Sequence, residues 1–175
     1  HEVLILTGDA SYLRKPPTED EIALEAQVSR TLRLLGEWRE GVTRAVDTPQ
    51  ELAKLAAANA RTVVQAARDF RADLILLGNS DFLGIDLLNA ALAAGLPVLH
   101  ALANAAPGYL PAAQPSSPRY WVAPCSDWNG RAYHQAGYQA AHVETLYPGA
   151  RIDRFYRYFL PDARKLRIAY ASLVM

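Results

Sequence analysis

The sequence predicts an α/β fold in which parallel strands alternate with helices. Short apolar segments rich in β-forming residues begin at Leu74, Val98 and Tyr120. Segments with helical periodicity and capping residues lie between them. Strands that alternate with helices in this way form a largely parallel sheet with right-handed crossovers, and we expect the strands near Val3 and Val143 to join it.

Composition and charge favour a folded domain in a reducing compartment. Apolar residues make up 51% of the 175 residues and charged residues 21%, unlike a disordered chain. Lys+Arg and Asp+Glu are both 18, so charge gives no indication of nucleic-acid binding. The single cysteine excludes an internal disulfide framework and favours the cytoplasm. The sequence shows no bilayer-length apolar run and no signal peptide, although peripheral membrane contact stays open.

The first part of the chain allows two interpretations. Residues 2–7 are apolar and predict a strand. Residues 18–21 fit a capping box, and apolar residues then recur at helical spacing, which predicts a helix over residues 19–35. The alternative, which we favour, is a short helix followed by a strand over residues 28–35.

The clearest helix begins after Thr48. Thr48 suits the N-cap, Pro49 the first turn, and Glu51 completes a capping box. Apolar residues recur at helical spacing as far as Phe70. Asn59 is the one polar residue on that face, and we interpret it as a hydrogen-bonded edge residue rather than a site.

The middle of the chain continues the alternation. Residues 74–77 form a continuous apolar run, as expected of a parallel strand buried on both faces. Residues 82–94 predict a helix, with Gly95 just beyond its end. After a strand over residues 98–102, residues 103–118 form a loop with four prolines. This loop is long enough to be a candidate active-site loop.

The segment over residues 120–155 carries a family resemblance. Its pattern predicts a strand, a Cys-Ser turn, a helix ending at Gly137 and a second strand. A Pro-Gly corner and the residues Ile-Asp-Arg-Phe follow. This order resembles the end of the N-terminal domain of group 1 (family 4) glycosyltransferases of the GT-B fold. Residues 1–8, 71–79 and 88–102 resemble earlier segments of that domain in the same order.

The resemblance implies a Rossmann-like parallel sheet with helices on both faces, which is one half of a GT-B architecture. Residues 1–155 would be an incomplete N-terminal acceptor-side domain, residues 156–165 the interdomain linker, and residues 166–175 the first strand of a truncated donor-binding domain. A first strand would precede residue 1, so inner sheet edges would be left unpaired. We expect residues 166–174 to dock there as a strand, in their own sheet or, by exchange, in that of a homodimer partner. The alternative is a frayed tail with a different strand order.

The function that the resemblance implies is retaining, hexosyltransferase-like sugar transfer. A nucleotide sugar would be the donor, a sugar, lipid or small molecule the acceptor, and no metal or other cofactor would take part. The chain alone lacks the donor-binding motif, so we expect it to be inactive by itself. The alternatives are a non-catalytic α/β binding or assembly module and another Rossmann-like sugar-nucleotide enzyme. Ala103 stands where the family commonly has histidine, which favours the module unless Asn104 supplies that contact.

Candidate site residues follow the strands, because open α/β sheets bind ligands beyond the carboxyl ends of their strands. Asn104 is the candidate catalytic residue. The candidate substrate-binding residues are Gly8, Asp9, Asn79, Ser80, Asp81, Asn104, Tyr109, Ser126, Asp127 and Gly149. Asn and Asp side chains can bind sugar hydroxyls, and the tyrosine can stack on a sugar ring. The alternative for the tyrosine is a local anchor of the loop, which is the commoner role of such an aromatic. The Ser and Asp residues that precede predicted helices also suit N-caps, and we favour capping alone for each.

Other chemistry has less support in the sequence. The four histidines lack metal-ligand spacing. We interpret Cys125 as a packed thiol rather than a nucleophile, and His100 as a hydrogen-bonded core residue. Residues 78–84 lack the Gly-Lys-Ser/Thr end of a phosphate-binding loop.

Overall fold

The protein is built on a four-stranded parallel sheet with helices packed against it. A computed structural model describes residues 2–8, 22–23, 27–39, 42–78, 80–104 and 106–149. In chain order the elements are β1 (Ile5–Gly8), β2 (Val28–Leu32), β3 (Gly36–Arg39), β4 (Val42–Ala45), α1 (Pro49–Asp69), β5 (Ile75–Leu77), α2 (Ile85–Ala93), β6 (Val98–Leu102), a 3-10 turn (Pro111–Ala113), β7 (Tyr120–Pro124), α3 (Asp127–Gln135) and β8 (His142–Val143). The predicted α/β class is confirmed.

The sheet has the order β5-β6-β7-β8, and every neighbouring pair is parallel. Within the described residues, β1 pairs in parallel with β2 alone. The prediction that the first strand belongs to the same sheet is therefore wrong for this part of the chain. The physical reason is that no described strand lies between β1 and β5 to join the two sheets.

Helix α1 begins where its sequence signals predict. The Thr48 hydroxyl accepts a hydrogen bond from the Glu51 backbone N–H at 3.4 Å, and Pro49 occupies the first turn. Asn59 is only 2% exposed, and it bonds the backbone N–H and C=O of Arg33 at 2.8 and 2.7 Å. Asn59 thus links α1 to the residues that follow β2. This confirms its interpretation as a hydrogen-bonded residue.

The region before α1 contains a strand that was expected and a hairpin that was not. Strand β2 confirms the interpretation of a strand from Val28, whereas most of the preceding helix lies outside the described residues. Strands β3 and β4 pair antiparallel, with Gly36 opposite Ala45 and Arg39 opposite Val42. Only two residues, including a glycine, separate these strands in the sequence. That spacing is typical of a β-hairpin and could have predicted it.

The two faces of the four-stranded sheet differ. One face is the core, where Val98, Tyr120 and Val122 are at most 1% exposed and pack with Leu88 of α2 and Tyr133 of α3. The opposite face carries Leu74, Leu76 and Trp121, which are 48%, 66% and 43% exposed. Residues 74–77 are therefore not buried on both faces as predicted. The described residues leave these three side chains of the second face largely uncovered.

Candidate functional site

The parallel sheet brings the segments that follow β5 and β6 together at the carboxyl ends of these strands. Asn104 donates a hydrogen bond from Nδ2 to Oδ2 of Asp81 at 3.0 Å, and both residues are exposed. Two of the predicted site residues therefore form a polar pair at the open end of the sheet. We call this pair the Asp81–Asn104 pair.

Ser80 lies beneath this pair and is not available to a ligand. It is 7% exposed, and its hydroxyl donates to the backbone carbonyl of Pro107 at 2.6 Å. Gly108 has a φ of +79°, and a Cβ there would lie 2.8 Å from Ser80 Oγ and 2.9 Å from Asp81 Oδ1. The proline-rich loop is therefore held close against the turn after β5.

Ser80 and Asp81 do not cap the following helix, contrary to the capping interpretation. Helix α2 begins at Ile85, and its N-cap is Gly84 at φ 81°, with no side-chain cap. A turn separates the two residues from the helix, in which Leu83 N donates to Ser80 O at 3.0 Å. Because Gly84 adopts a left-handed conformation, the helix starts later than its apolar pattern indicates.

Ser126 is a helix cap, as predicted. Its hydroxyl accepts from Asn129 N at 3.2 Å, and α3 then starts at Asp127. Asp127 is fully exposed. Hydrogen bonds from the side chains of Thr145 and Tyr147 hold the pKa of its carboxyl below the usual value. Asp127 thus connects α3 to the segment after β8.

Tyr109 is not a free loop aromatic. Its hydroxyl lies 2.6 Å from that of Tyr120, and its backbone carbonyl accepts from the Tyr138 hydroxyl at 2.5 Å. The Tyr109 and Tyr138 rings also meet edge to face, 5.7 Å apart. Since the ring packs among other aromatics, it anchors the loop, and the prediction of an available stacking surface is not supported.

His100 is a core residue, as predicted. It is 1% exposed, with Nδ1 2.9 Å from the Tyr120 hydroxyl and Nε2 3.5 Å from Ser80 Oγ. Burial lowers the pKa of His100 to about 4, although a hydrogen bond with the backbone of Gly78 acts in the opposite direction. The imidazole is therefore neutral at physiological pH. The chain Ser80, His100, Tyr120, Tyr109 joins the loop to the sheet, and we call it the buried polar chain.

The buried polar chain has the residue types of a catalytic array but not its geometry. Burial raises the pKa of the Tyr109 and Tyr120 hydroxyls, so they stay protonated at neutral pH. Ser80 already donates its proton to Pro107 O. A nucleophile needs an accessible oxygen that gives its proton to a base, whereas this serine is buried and gives its proton to a carbonyl.

Asn129 is a buried polar residue that the sequence analysis missed. It is 2% exposed, and Nδ2 donates to Leu102 O at 3.2 Å and to Cys125 Sγ at 3.5 Å. Its Oδ1 has no hydrogen-bond partner within the described part of the chain. Cys125 is half-buried, with Sγ 3.9 Å from Ala103 O, in agreement with a packed thiol. The position of the asparagine one turn after the Ser126 cap was its only sequence signal.

The structure gives no ligand contact to the two remaining glycines of the predicted site. Gly8 ends β1, where a Cβ would lie 2.7 Å from the Leu34 side chain, so this glycine permits close packing. A Cβ on Gly149 would have no neighbour within 4 Å. Asp9 and Asn79 lie outside the described residues.

Metal-binding clusters and membrane-spanning helices are both absent from the described residues. These residues contain no cluster of three His, Cys, Asp or Glu side chains that could hold a metal ion. None of the helices within them combines the length and the apolar character needed to cross a membrane.

A large groove lies away from the Asp81–Asn104 pair. It encloses about 1010 Å³ between the β1–β2 sheet and helices α1 and α2, and its lining includes Leu4, Leu6, Ala60, Arg68 and Ala93. The last turns of α1 and α2 contribute to it, and they lead into the amino ends of β5 and β6. The groove therefore lies near the amino ends of these strands, whereas the predicted site lies at their carboxyl ends.

Comparisons with protein-family models, with curated proteins and with solved structures found no match to this chain.

Proposed function

We propose that the chain is the acceptor-side half of a retaining, cytoplasmic glycosyltransferase that uses a nucleotide-sugar donor. The order of the segments over residues 71–155 resembles that domain. The observation that carries the proposal is the Asp81–Asn104 pair, which lies exposed at the carboxyl ends of parallel strands. A sugar hydroxyl can donate to the carboxylate and accept from the amide, so the pair suits a hydroxyl-rich acceptor.

Within this proposal the two residues have different roles. Asn104 follows Ala103, the position where the resembling family commonly has a histidine, and its amide contacts the sugar in place of that residue. Asp81 orients the amide through the 3.0 Å hydrogen bond. Transfer needs no metal ion, and the second domain of the parent protein binds the leaving diphosphate.

The first test is sugar binding by saturation-transfer NMR with a panel of mono- and disaccharides. We expect Asp81→Ala to weaken binding about 10-fold or more, because it removes a charged hydrogen-bonding group worth about 1.5–3 kcal/mol. Asp73→Ala is the matched control, since it removes an exposed carboxylate at the other end of the same strand. Equal effects of the two substitutions would contradict a site at the carboxyl ends.

A non-catalytic binding or assembly module is the second candidate, and Ala103 favours it. An exposed methyl group occupies the position next to Asn104, while His100 is held in the core. The module has no need of a sugar site. An absence of saturation transfer from every sugar in the panel would favour it over the transferase.

A further inference from the structure

The single cysteine of the chain lies where β7 ends and α3 begins. Cys125 follows Pro124, the last residue of β7, and precedes Ser126, the N-cap of α3. Its backbone N–H donates to Leu102 O at 2.9 Å, and its sulfur lies 3.9 Å from Ala103 O. Because the residue is only half-buried, it packs against the end of β6 and is still partly exposed to solvent.

The side chain of Asn129 places its amide against this sulfur. Its Nδ2 donates to Leu102 O at 3.2 Å and to Cys125 Sγ at 3.5 Å. The Leu102 carbonyl fixes the orientation of the amide, because a reversed amide would bring Oδ1, an acceptor, against another acceptor. The sulfur therefore receives an N–H donor from a side chain that is only 2% exposed.

The other half of the same amide has no partner. Asn129 Oδ1 is buried, and no group of the described residues donates to it. Buried polar atoms are nearly always hydrogen-bonded, so an acceptor in this position indicates a donor of a further kind. Oδ1 lies about 2.2 Å from Nδ2, as the bond lengths of an amide require. Such a donor would therefore be bound beside Cys125 Sγ.

We propose that Cys125 is a site of reversible oxidation by hydrogen peroxide, and that the hydroxyl of the resulting sulfenic acid donates to Asn129 Oδ1. In this reaction the thiol gives up its proton and the sulfur attacks one oxygen of the peroxide, so that an S–O bond forms and the O–O bond breaks. The sulfur loses two electrons. The second peroxide oxygen gains them, takes up the thiol proton and leaves as water. Oxidation thus gives the sulfur the donor that the buried acceptor lacks.

The sulfenic acid has no internal thiol with which to react. These 175 residues contain one cysteine, so an internal disulfide cannot form. A small thiol such as glutathione would convert the sulfenic acid to a mixed disulfide and water, and a second molecule would then release the Cys125 thiol. The proposal does not depend on the proposed function. Every residue of this site lies within the described part of the chain, whereas the docking predicted for residues 166–174 falls outside it.

Mass spectrometry of the full chain in hydrogen peroxide tests the proposal, with dimedone as the reagent that traps sulfenic acids. We expect one dimedone adduct in the unmodified chain and none in Cys125→Ser. Without dimedone, Asn129→Ala should convert the sulfenic acid to sulfinic acid about 10-fold faster, the factor that corresponds to one lost hydrogen bond. The reason is that the hydroxyl no longer donates its proton to Oδ1.

Asn59→Ala is the matched control for the loss of a buried amide. Asn59 is also 2% exposed, and its Nδ2 also donates to a backbone carbonyl, that of Arg33 at 2.7 Å. Its hydrogen bonds go to Arg33 rather than to the thiol. The control should lose stability and still form sulfinic acid as slowly as the unmodified chain. It therefore separates the action of Asn129 on the sulfur from a general loosening of the fold.

Three results would overturn the proposal. The first is the absence of a dimedone adduct in the unmodified chain, and the second is an equal rate of sulfinic acid formation in the unmodified chain and Asn129→Ala. The third is an equal acceleration in Asn129→Ala and Asn59→Ala, which would assign the effect to lost stability. Where Asn129→Ala fails to fold, NMR of the unmodified chain decides. The side-chain carbonyl signal of Asn129 should shift on oxidation while that of Asn59 does not, and an unshifted Asn129 signal would overturn the proposal.

Discussion

At the scale of single residues, most of the polar side chains near the sheet satisfy one another. His100, Tyr120 and Tyr109 are linked by contacts of 2.9 and 2.6 Å, and Ser80 continues the chain toward the loop. A buried polar group without a partner costs about 1–3 kcal/mol, so this connectivity is what makes a histidine tolerable in the core. The Asp81–Asn104 pair differs from this buried chain because both of its side chains are exposed.

The pKa of His100 predicts a loss of stability in acid. Because its folded value is about 4 and the ordinary value is 6.5, the unfolded state binds a proton in this interval while the folded state does not. Stability should therefore fall by on the order of 3 kcal/mol as the pH drops from 6.5 to 4. Urea unfolding at several pH values measures this.

Two substitutions isolate the contribution of His100 to that pH dependence. His100→Gln should remove this part of the slope, although it also lowers stability at neutral pH. His134→Gln is the control and should keep the slope. An unchanged slope in His100→Gln would show that other groups cause the acid sensitivity.

At the scale of elements, capping residues fix where helices begin. Thr48 and Ser126 each accept a hydrogen bond from the backbone N–H three residues later, at 3.4 and 3.2 Å. Helix α2 lacks such a side-chain cap and begins at Ile85, after a turn and with Gly84 as its N-cap. Its start was therefore the least accurately predicted of the three.

Removing the cap of α1 should destabilise the protein by a measurable amount. Thr48→Ala is expected to cost about 1 kcal/mol in the free energy of unfolding, because the Glu51 N–H loses its partner. Thr48→Ser retains the hydroxyl and should cost clearly less. Equal losses in urea denaturation would mean that the hydroxyl does not act as a cap.

At the scale of the whole molecule, the proposed function makes the four-stranded sheet one side of a binding cleft. The Asp81–Asn104 pair lies at the carboxyl ends of its strands, while the large groove lies near their amino ends. On the proposed function, the donor site belongs to the second domain of the parent protein. The chain alone should then bind acceptors but not donors.

Calorimetry with uridine, guanosine and adenosine diphosphate sugars tests this separation. We expect no affinity tighter than about 1 mM, which corresponds to only about 4 kcal/mol of binding free energy, and no sugar transfer by the chain alone. Tight binding of any of these donors would show that the two halves have been assigned the wrong way round.

The sequence by itself determined the local features of this protein. The strand from Val98 to Leu102 and the caps at Thr48 and Ser126 depend on residues close together in the chain, so apolar runs and capping patterns were sufficient to predict them. The same reasoning correctly placed Asn59 and His100 among hydrogen-bonded residues.

The tertiary structure alone decided which of these residues meet. Asp81 and Asn104 are 23 positions apart, as Ser80 and Pro107 are 27, and no local pattern records such pairs. Burial depends equally on distant segments. The apolar run over residues 74–77 predicted a strand covered on both faces, yet Leu76 is 66% exposed because no described segment covers it. Periodicity shows which residues share a face, whereas packing against the rest of the chain determines whether that face is covered.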